Sequence, residues 1–326
     1  MGHYVDICRE NVGVIRETLH PKNEEDWLEM RKADITSTMM PALFELSPYA
    51  TVFELYHAKK SGLVLPFESN ERMEKGKRME RYAAEEVALK EGWTVRPLNE
   101  YIRISGERIG SSFDFEATCP KRGKGILEIK ALDFFIHKES WSQDEIPADK
   151  EIQIRHQLMC ADRYEWGVVC AFTSVYDYHK YFFERDQEFE DGMVSATRQF
   201  WKDVDEGNEP KPDFYRDAPV IDALYRNAGG DLEDRTGDEE LEAVLARYNR
   251  NKQLEKQAGE DKDAAKAEIH RRLAEAGGAW TDGFRVKAGW TRGSQGTTIT
   301  QDMVGTIIGA RAPYRQCLVT EVNKEK

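Results

Sequence analysis

Apolar positions recur along this chain with two periods, and the changes between them divide it into elements. Residues 24–62 read as helices interrupted at Pro41 and Pro48, because proline lacks the amide hydrogen that a helix interior needs. From Met73 to Glu91 the residues Met79, Tyr82, Ala83 and Val87 fall on one helical stripe, and Gly92 supplies the stop. Trp93–Ile104 and Gly110–Ala117 alternate as strands do, and the polar turn Thr118–Gly125 leads into a third strand, Gly125–Ala131. A loop rich in Trp, Ser, Asp and Pro (Lys138–Asp149) precedes a helix over Lys150–Arg163. Trp166–Thr173 is a buried-type strand, Tyr178–Phe183 is the next, and a helix follows over Gln187–Glu206.

Helix, three strands, helix and two strands in that order predict an α/β (α+β) fold on a mixed sheet. After Pro210 the character changes, and the polar, glycine-containing stretch Arg226–Glu240 reads as a linker. Leu241, Val244, Leu245 and Tyr248 then repeat at i, i+3, i+4 and i+7. They open a charged helix to about Ala276, a helical hairpin or coiled-coil-like arm. Trp280–Val319 returns to strand-like alternation. The expected division is a core over 1–217 and a helical C-terminal extension with short strands over 218–326.

Composition adds bounds. The chain has 326 residues, 40% hydrophobic and 33% charged, as folded water-soluble proteins do. No apolar run approaches the roughly 20 residues that span a bilayer, and the N-terminus has no signal-peptide core, so a cytoplasmic protein is expected, in a bacterium or a phage-infected host. Cys8, Cys119, Cys160, Cys170 and Cys317 form no C-x-x-C pair, which removes zinc ribbons and iron–sulfur clusters and leaves reduced thiols. The net charge of −13 opposes a polyanionic ligand only at long range. A local basic stretch exists in Arg72, Lys75, Lys77, Arg78 and Arg81, which also serves as a solvated helix face.

The chemistry-bearing residues are Asp114, in Ser-Phe-Asp, and Glu128 and Lys130, in Leu-Glu-Ile-Lys. Glu128 and Lys130 are two apart in a strand and share a face. If the two segments pair as a hairpin, Asp114 meets Glu128 with Lys130 beside them. Phe113, Phe115 and Ile126, and separately Leu127 and Ile129, supply the packing. Two carboxylates so placed ionise together only if a cation resolves their repulsion, and Mg²⁺ prefers such hard oxygens. A neighbouring lysine positions the attacking water or stabilises developing charge. The alternative is a set of exposed charges on a half-buried hairpin.

Three further features bear on the choice. Glu80 lies at the edge of the first helical stripe, as a surface residue or as another metal-associated carboxylate. Gln153 and Gln157 share one face of the later helix, where a glutamine can bond a water or a catalytic carboxylate; the adjacent His156 reads as structural or DNA-contacting. Arg31, followed by Thr36, Ser37 and Thr38, can hold a phosphate through charge-assisted hydrogen bonds. The same hydroxyls also suit a helix cap.

Together, Trp27-x₃-Arg31-x₃-Ile35-Thr36-Ser37, Ser47-Pro48-Tyr49, Gly76-x₃-Glu80, Asp114, Glu128-Ile129-Lys130 and Gln157 resemble the lambda exonuclease and YqaJ viral recombinase family over Asp26–Phe183. The resemblance implies a PD-(D/E)xK core whose Asp114, Glu128 and Ile129 carbonyl bind Mg²⁺, with Mn²⁺ as a substitute and two ions per site. It implies Lys130 as catalytic lysine, completed by Glu80 and Gln157, and Arg31 with Ser37 or Thr38 as receptor of a 5′-phosphate. The implied activity is 5′→3′ degradation of one strand of linear double-stranded DNA, leaving a 3′ overhang for an annealing protein, by a ring trimer. A basic residue after the lysine strand is also implied, with His137 and Lys138 as candidates. The C-terminal hundred residues have no counterpart in the compact phage enzyme, and oligomer, DNA or partner contacts are expected of them. Competing readings are an endonuclease or helicase-associated nuclease of the same superfamily, which end dependence distinguishes, and a non-enzymatic DNA-binding recombination accessory protein.

Overall fold

The computed structural model describes residues 15–63, 65, 71–132, 140–141, 145–174, 177–226, 233–291, 314–315 and 318–321. Of residues 72, 73, 75, 77, 314–315 and 318–321 it describes the backbone alone. His137, Lys138, Cys8, Cys317 and part of the expected linker therefore lie outside the described residues. The chain forms two compact units, Met1–Gly229 and Gly230–Lys326.

Five strands make the main sheet of the first unit: β3 (Thr94–Pro97), β6 (Phe115–Cys119), β7 (Gly123–Ala131), β8 (Trp166–Phe172) and β9 (Tyr178–Glu184), in the order β3-β6-β7-β8-β9. β7 and β8 are parallel, and the other neighbours are antiparallel. The sheet is therefore mixed, and the α/β expectation holds. A parallel pair needs a crossover, which helix α4 (Ala148–Cys160) supplies. A four-stranded sheet lies beside it in the order β1-β4-β5-β2, from β1 (Arg16–Leu19), β2 (Ile35–Thr36), β4 (Tyr101–Ile104) and β5 (Ile109–Ser112).

The two long strands expected at 93–104 and 110–117 are each split between these sheets. They form one ribbon, paired as Pro97↔Phe115 in the main sheet and as Tyr101↔Ser112 in the smaller one. Between those pairs stand three residues on one side and two on the other, so the ribbon bulges and bends. Pro97, which has no amide hydrogen to give the ladder, ends the first half. The bend sends Phe113 into the core with Ile126 and Phe115 into the core with Leu127 and Ile129, although strict alternation would have put both rings on one face.

Helix α3 (Glu71–Glu91) covers one face of the sheet through Ala83, Ala84 and Val87, all buried, whereas Met79 and Tyr82 of the expected stripe stay 37% and 40% exposed. Helix α4 covers the other face. It lies close because β8 carries Gly167 there: a Cβ at this position would stand 2.9 Å from Ile154. Helix α1 (Glu24–Lys32), a 3₁₀ turn (Met40–Phe44), helix α2 (Val52–Ser61), helix α5 (Gln187–Glu206) and helix α6 (Ala218–Leu224) complete the unit. Pro41 opens the 3₁₀ turn rather than ending a helix. α6, assigned to the extension from sequence, lies in the first unit, where Asp217 accepts from Thr51 Oγ1 at 2.5 Å.

The second unit contains helix α7 (Glu239–Leu273), one unbroken helix of 35 residues with none buried, and short strands after it. Leu241, Val244, Leu245 and Tyr248 are exposed. Cys119, Cys160 and Cys170 are free and buried. Among the described residues no helix is long and apolar enough to cross a membrane.

Candidate active site

Asp114 stands at the bulge where the ribbon passes between sheets, and this brings its carboxylate to the edge of β7. Its Oδ2 accepts from the amide of Ile129 at 3.1 Å. In a strand the N–H and C=O of one residue point the same way, so the Ile129 carbonyl faces the edge that Asp114 occupies. Glu128 and Lys130 project from the opposite face to Leu127 and Ile129, toward α4. Lys130 Nζ donates to Glu128 Oε1 at 2.6 Å. Gln153 Nε2 donates to the same oxygen at 2.7 Å, and Gln157 Nε2 donates to Glu128 Oε2 at 2.8 Å. Three donors thus fix a carboxylate that is 3% exposed.

The electrostatics of the cluster are unequal. Burial opposes ionisation of Glu128, but the Lys130 charge and its hydrogen bond, with the Gln157 amide, overcome it and hold the carboxyl below its usual range. Burial likewise opposes charge on Lys130, and Glu128 with Asp114 more than compensates, so the ammonium stays protonated. Asp114 is the loser. Burial and the Glu128 charge push its carboxyl well above the ordinary value, with Glu80 adding to the push and Lys130 only partly relieving it. Glu80, half-buried on α3, acts electrostatically on both Asp114 and Lys130.

The cluster therefore holds more negative charge than Lys130 balances. Among the described residues no three His, Cys, Asp or Glu side chains are grouped to hold an ion by themselves. Asp114, Glu128 and the Ile129 carbonyl suit a hard cation that takes its remaining ligands from water or phosphate oxygens. The high carboxyl of Asp114 is the observation that fits such a group, since a nearby divalent charge would allow it to ionise.

A second cluster adjoins the first. Arg31, in the last turn of α1, lies 4.3 Å over the Trp27 ring. Its guanidinium donates to Ser112 Oγ at 3.2 Å, Thr38 Oγ1 at 3.1 Å and Thr36 Oγ1 at 3.4 Å. It makes no carboxylate ion pair among the described residues, and burial lowers its pKa. A half-buried guanidinium surrounded by hydroxyls instead of acids is built to meet an anion. Ser112 ties the clusters together, because its carbonyl accepts from Gln157 Nε2 at 3.3 Å.

Most of the residues singled out from sequence are thus assembled: Asp114, Glu128, Ile129, Lys130, Glu80 and Gln157 in one cluster, Arg31 and Thr38 in the other. Ser37 is buried and is not among the groups Arg31 meets. Gln153 bonds Glu128 as directly as Gln157 does, a choice that their shared helical face had left open. Ser112, 81 residues from Arg31, was missed, and no local signal marks it. His156 is fully buried, with Nδ1 3.7 Å from Cys160 Sγ, and burial drives its pKa to about 3. Its place is structural and not at a DNA surface. Arg78 and Arg81 are exposed on α3.

Mixed sheet, bent ribbon and Asp…Glu-x-Lys cluster define a core of the PD-(D/E)xK class. More narrowly, residues 26–164 match the model of the YqaJ-like viral recombinase domain. The fold is similar to crystal structures of an alkaline exonuclease (LHK-Exo) from Laribacter hongkongensis, at 18% identity, 63% of this chain, 97% of that chain and TM-score 0.46. The same values hold for LHK-Exo in complex with dAMP, with a TM-score of 0.45. A phage related exonuclease from Haemophilus somnus 129PT matches at 18% identity over 58% of this chain and 91% of its own, with a TM-score of 0.36. No curated protein matches.

Proposed function

We propose that this chain is a divalent-metal-dependent 5′→3′ exonuclease that degrades one strand of linear double-stranded DNA and leaves a 3′ overhang for recombination by strand annealing. The observation that supports the reading best is Ser112, whose hydroxyl meets Arg31 and whose carbonyl meets Gln157. An anion pocket one residue away from a carboxylate–lysine cluster suits hydrolysis at a phosphorylated strand end. Cutting within a strand has no use for an end pocket.

In this reading Asp114, Glu128 and the Ile129 carbonyl hold Mg²⁺, or Mn²⁺ in its place, with room in the chemistry for two ions. A bound ion polarises the scissile phosphate and offsets the charge that builds on it. Gln153 and Gln157 keep both Glu128 oxygens aimed. Lys130, protonated at rest, donates toward the developing negative charge. Glu80 adds negative charge from the α3 side. Arg31, with Thr38 and Ser112, receives the terminal phosphate. The partners are duplex ends, an annealing protein and further copies of the chain in a ring trimer, with the second unit supplying oligomer, DNA or partner contacts.

The test uses linear duplex DNA labelled at either end, with Mg²⁺ or with chelator. Release of nucleotides from the 5′ end alone, only with metal, is expected, and a closed circular duplex should resist. Linearisation of the circle, or loss from the 3′ end, would overturn the reading.

A further inference from the structure

The C-terminus of α1 is finished unlike those of three other helices. α2, α3 and α5 each run into a glycine of positive φ, Gly62 at 70°, Gly92 at 66° and Gly207 at 82°. α1 ends on Ala33 in the right-handed region, φ −78° and ψ −13°. Among its last carbonyls, which have no partner within the helix, that of Arg31 accepts from the amides of Ala33 and Asp34, and cationic side chains add to the end. Arg103 Nη2 donates to the Met30 carbonyl at 2.9 Å. Lys59 Nζ, arriving from α2, donates to the carbonyls of Arg31 at 3.1 Å, Lys32 at 3.0 Å and Asp34 at 2.7 Å.

An ammonium has three hydrogens, and here all three are committed to backbone oxygens. Lys59 has none left for a bound phosphate. The buried acid nearby, Asp34, accepts at Oδ2 from Tyr101 Oη and Arg103 Nε, each at 2.8 Å. Tyr101 reaches it across Gly110, where a Cβ would stand 2.2 Å from the phenol oxygen. Lys59 sits half-buried, drawn by the Asp34 carboxylate and opposed by its own burial and by the like charges of Arg31 and Arg108. A glycine end would spare that repulsion. The chain accepts it at the helix end from which the Arg31 guanidinium projects.

We propose that Lys59 is a positioning residue for Arg31: by holding the carbonyls of Arg31, Lys32 and Asp34 it fixes the turn from which the guanidinium reaches Ser112 and Thr38. The inference rests on the reading of that pocket as a 5′-phosphate receptor. Its action is on selectivity for the end group, not on the hydrolytic cluster.

The experiment compares kcat and KM on linear duplexes bearing 5′-phosphate or 5′-hydroxyl ends, for the full chain and its Lys59→Met, Arg31→Ala and doubly substituted variants. Lys59→Met is expected to lower the phosphate-to-hydroxyl ratio of kcat/KM about tenfold, with little change on hydroxyl ends. The double variant should lose no more of that ratio than Arg31→Ala alone, because both act through one group. An unchanged ratio in Lys59→Met, or additive losses, overturns the positioning role while leaving the pocket standing. Equal wild-type rates on both ends overturn the pocket and this inference with it. Should Lys59→Met not fold, Lys59→Gln, which keeps two donors without the charge, carries the same expectation at about threefold and the same refutation.

Discussion

Asp114→Asn is expected to stabilise the metal-free protein while abolishing nuclease activity. The asparagine oxygen still accepts from Ile129 N–H, now 3.1 Å from Asp114 Oδ2, so a hydrogen bond of about 1 kcal/mol is kept. The charge that burial and Glu128 oppose is removed. Each unit by which a native-state carboxyl is raised costs about 1.4 kcal/mol of stability once pH exceeds both values. Single stabilising substitutions commonly gain about 0.5–2 kcal/mol, and the same range is expected here. In a unit of this size that is a rise in Tm of roughly 1–8 °C.

The sign with pH follows. The native state holds the Asp114 proton to higher pH than the unfolded chain, so wild-type stability from this group falls as pH rises beyond the ordinary carboxylate range. Asp114→Asn should lack that fall. Thermal unfolding in chelator between pH 5 and 8 reads both effects. Mg²⁺ at a hundred times its Kd should then add about 2.7 kcal/mol to the wild type and much less to the variant. A variant that melts at or below wild type in chelator, with the same pH slope, would refute the claim that Asp114 is held against its preference.

Other outcomes follow from neighbouring groups. Gln153→Leu and Gln157→Leu each remove a hydrogen bond to a buried carboxylate of about 1.5–3 kcal/mol and should lower kcat by about ten- to a hundredfold in a single-turnover assay with saturating metal. Glu116 is held down to about 2 by its hydrogen bonds from Arg96. The stability it adds is complete above pH 4.5 and lost as pH falls toward 2, so Glu116→Gln should cost about 2–3 kcal/mol near neutrality and flatten the acid limb of a urea titration. Below pH 6.5 the unfolded chain takes up a proton that native His156 refuses until about 3, which lowers stability on acidification. His156→Leu should remove that slope while leaving binding of duplex ends unchanged.

The Asp…Glu-x-Lys cluster was legible because strand alternation obliges Glu128 and Lys130 to share a face, whatever sheet they join. The mixed sheet followed from the order of elements. The bulge at 98–100 was signalled by Pro97 and Asn99 yet passed over, because alternation continues through it. Gln153 and Gln157 sit one helical turn apart, and sequence carries no means of ranking two equivalent positions; both bind Glu128. Ser112 and Lys59 escaped for a different reason. Their partners lie 81 and 28 residues away and are a side chain and a backbone carbonyl with no compositional mark. In the second unit the apolar period of α7 was visible, but period alone does not say what a stripe packs against, and the stripe is exposed.

Ser112 presents a hydroxyl to Arg31 and a carbonyl to Gln157 from a single residue. The two clusters therefore meet at one residue, through hydrogen bonds of 3.2 and 3.3 Å, and their spacing depends on where the Ser112 backbone stands. In the exonuclease reading, an end seated on Arg31 presents the same phosphodiester to the carboxylates at every advance. The spacing of pocket and cluster is then held at a single residue, and a residue inserted after Ser112 would shift Asp114 along the ribbon by up to about 3.3 Å and put the two clusters out of step.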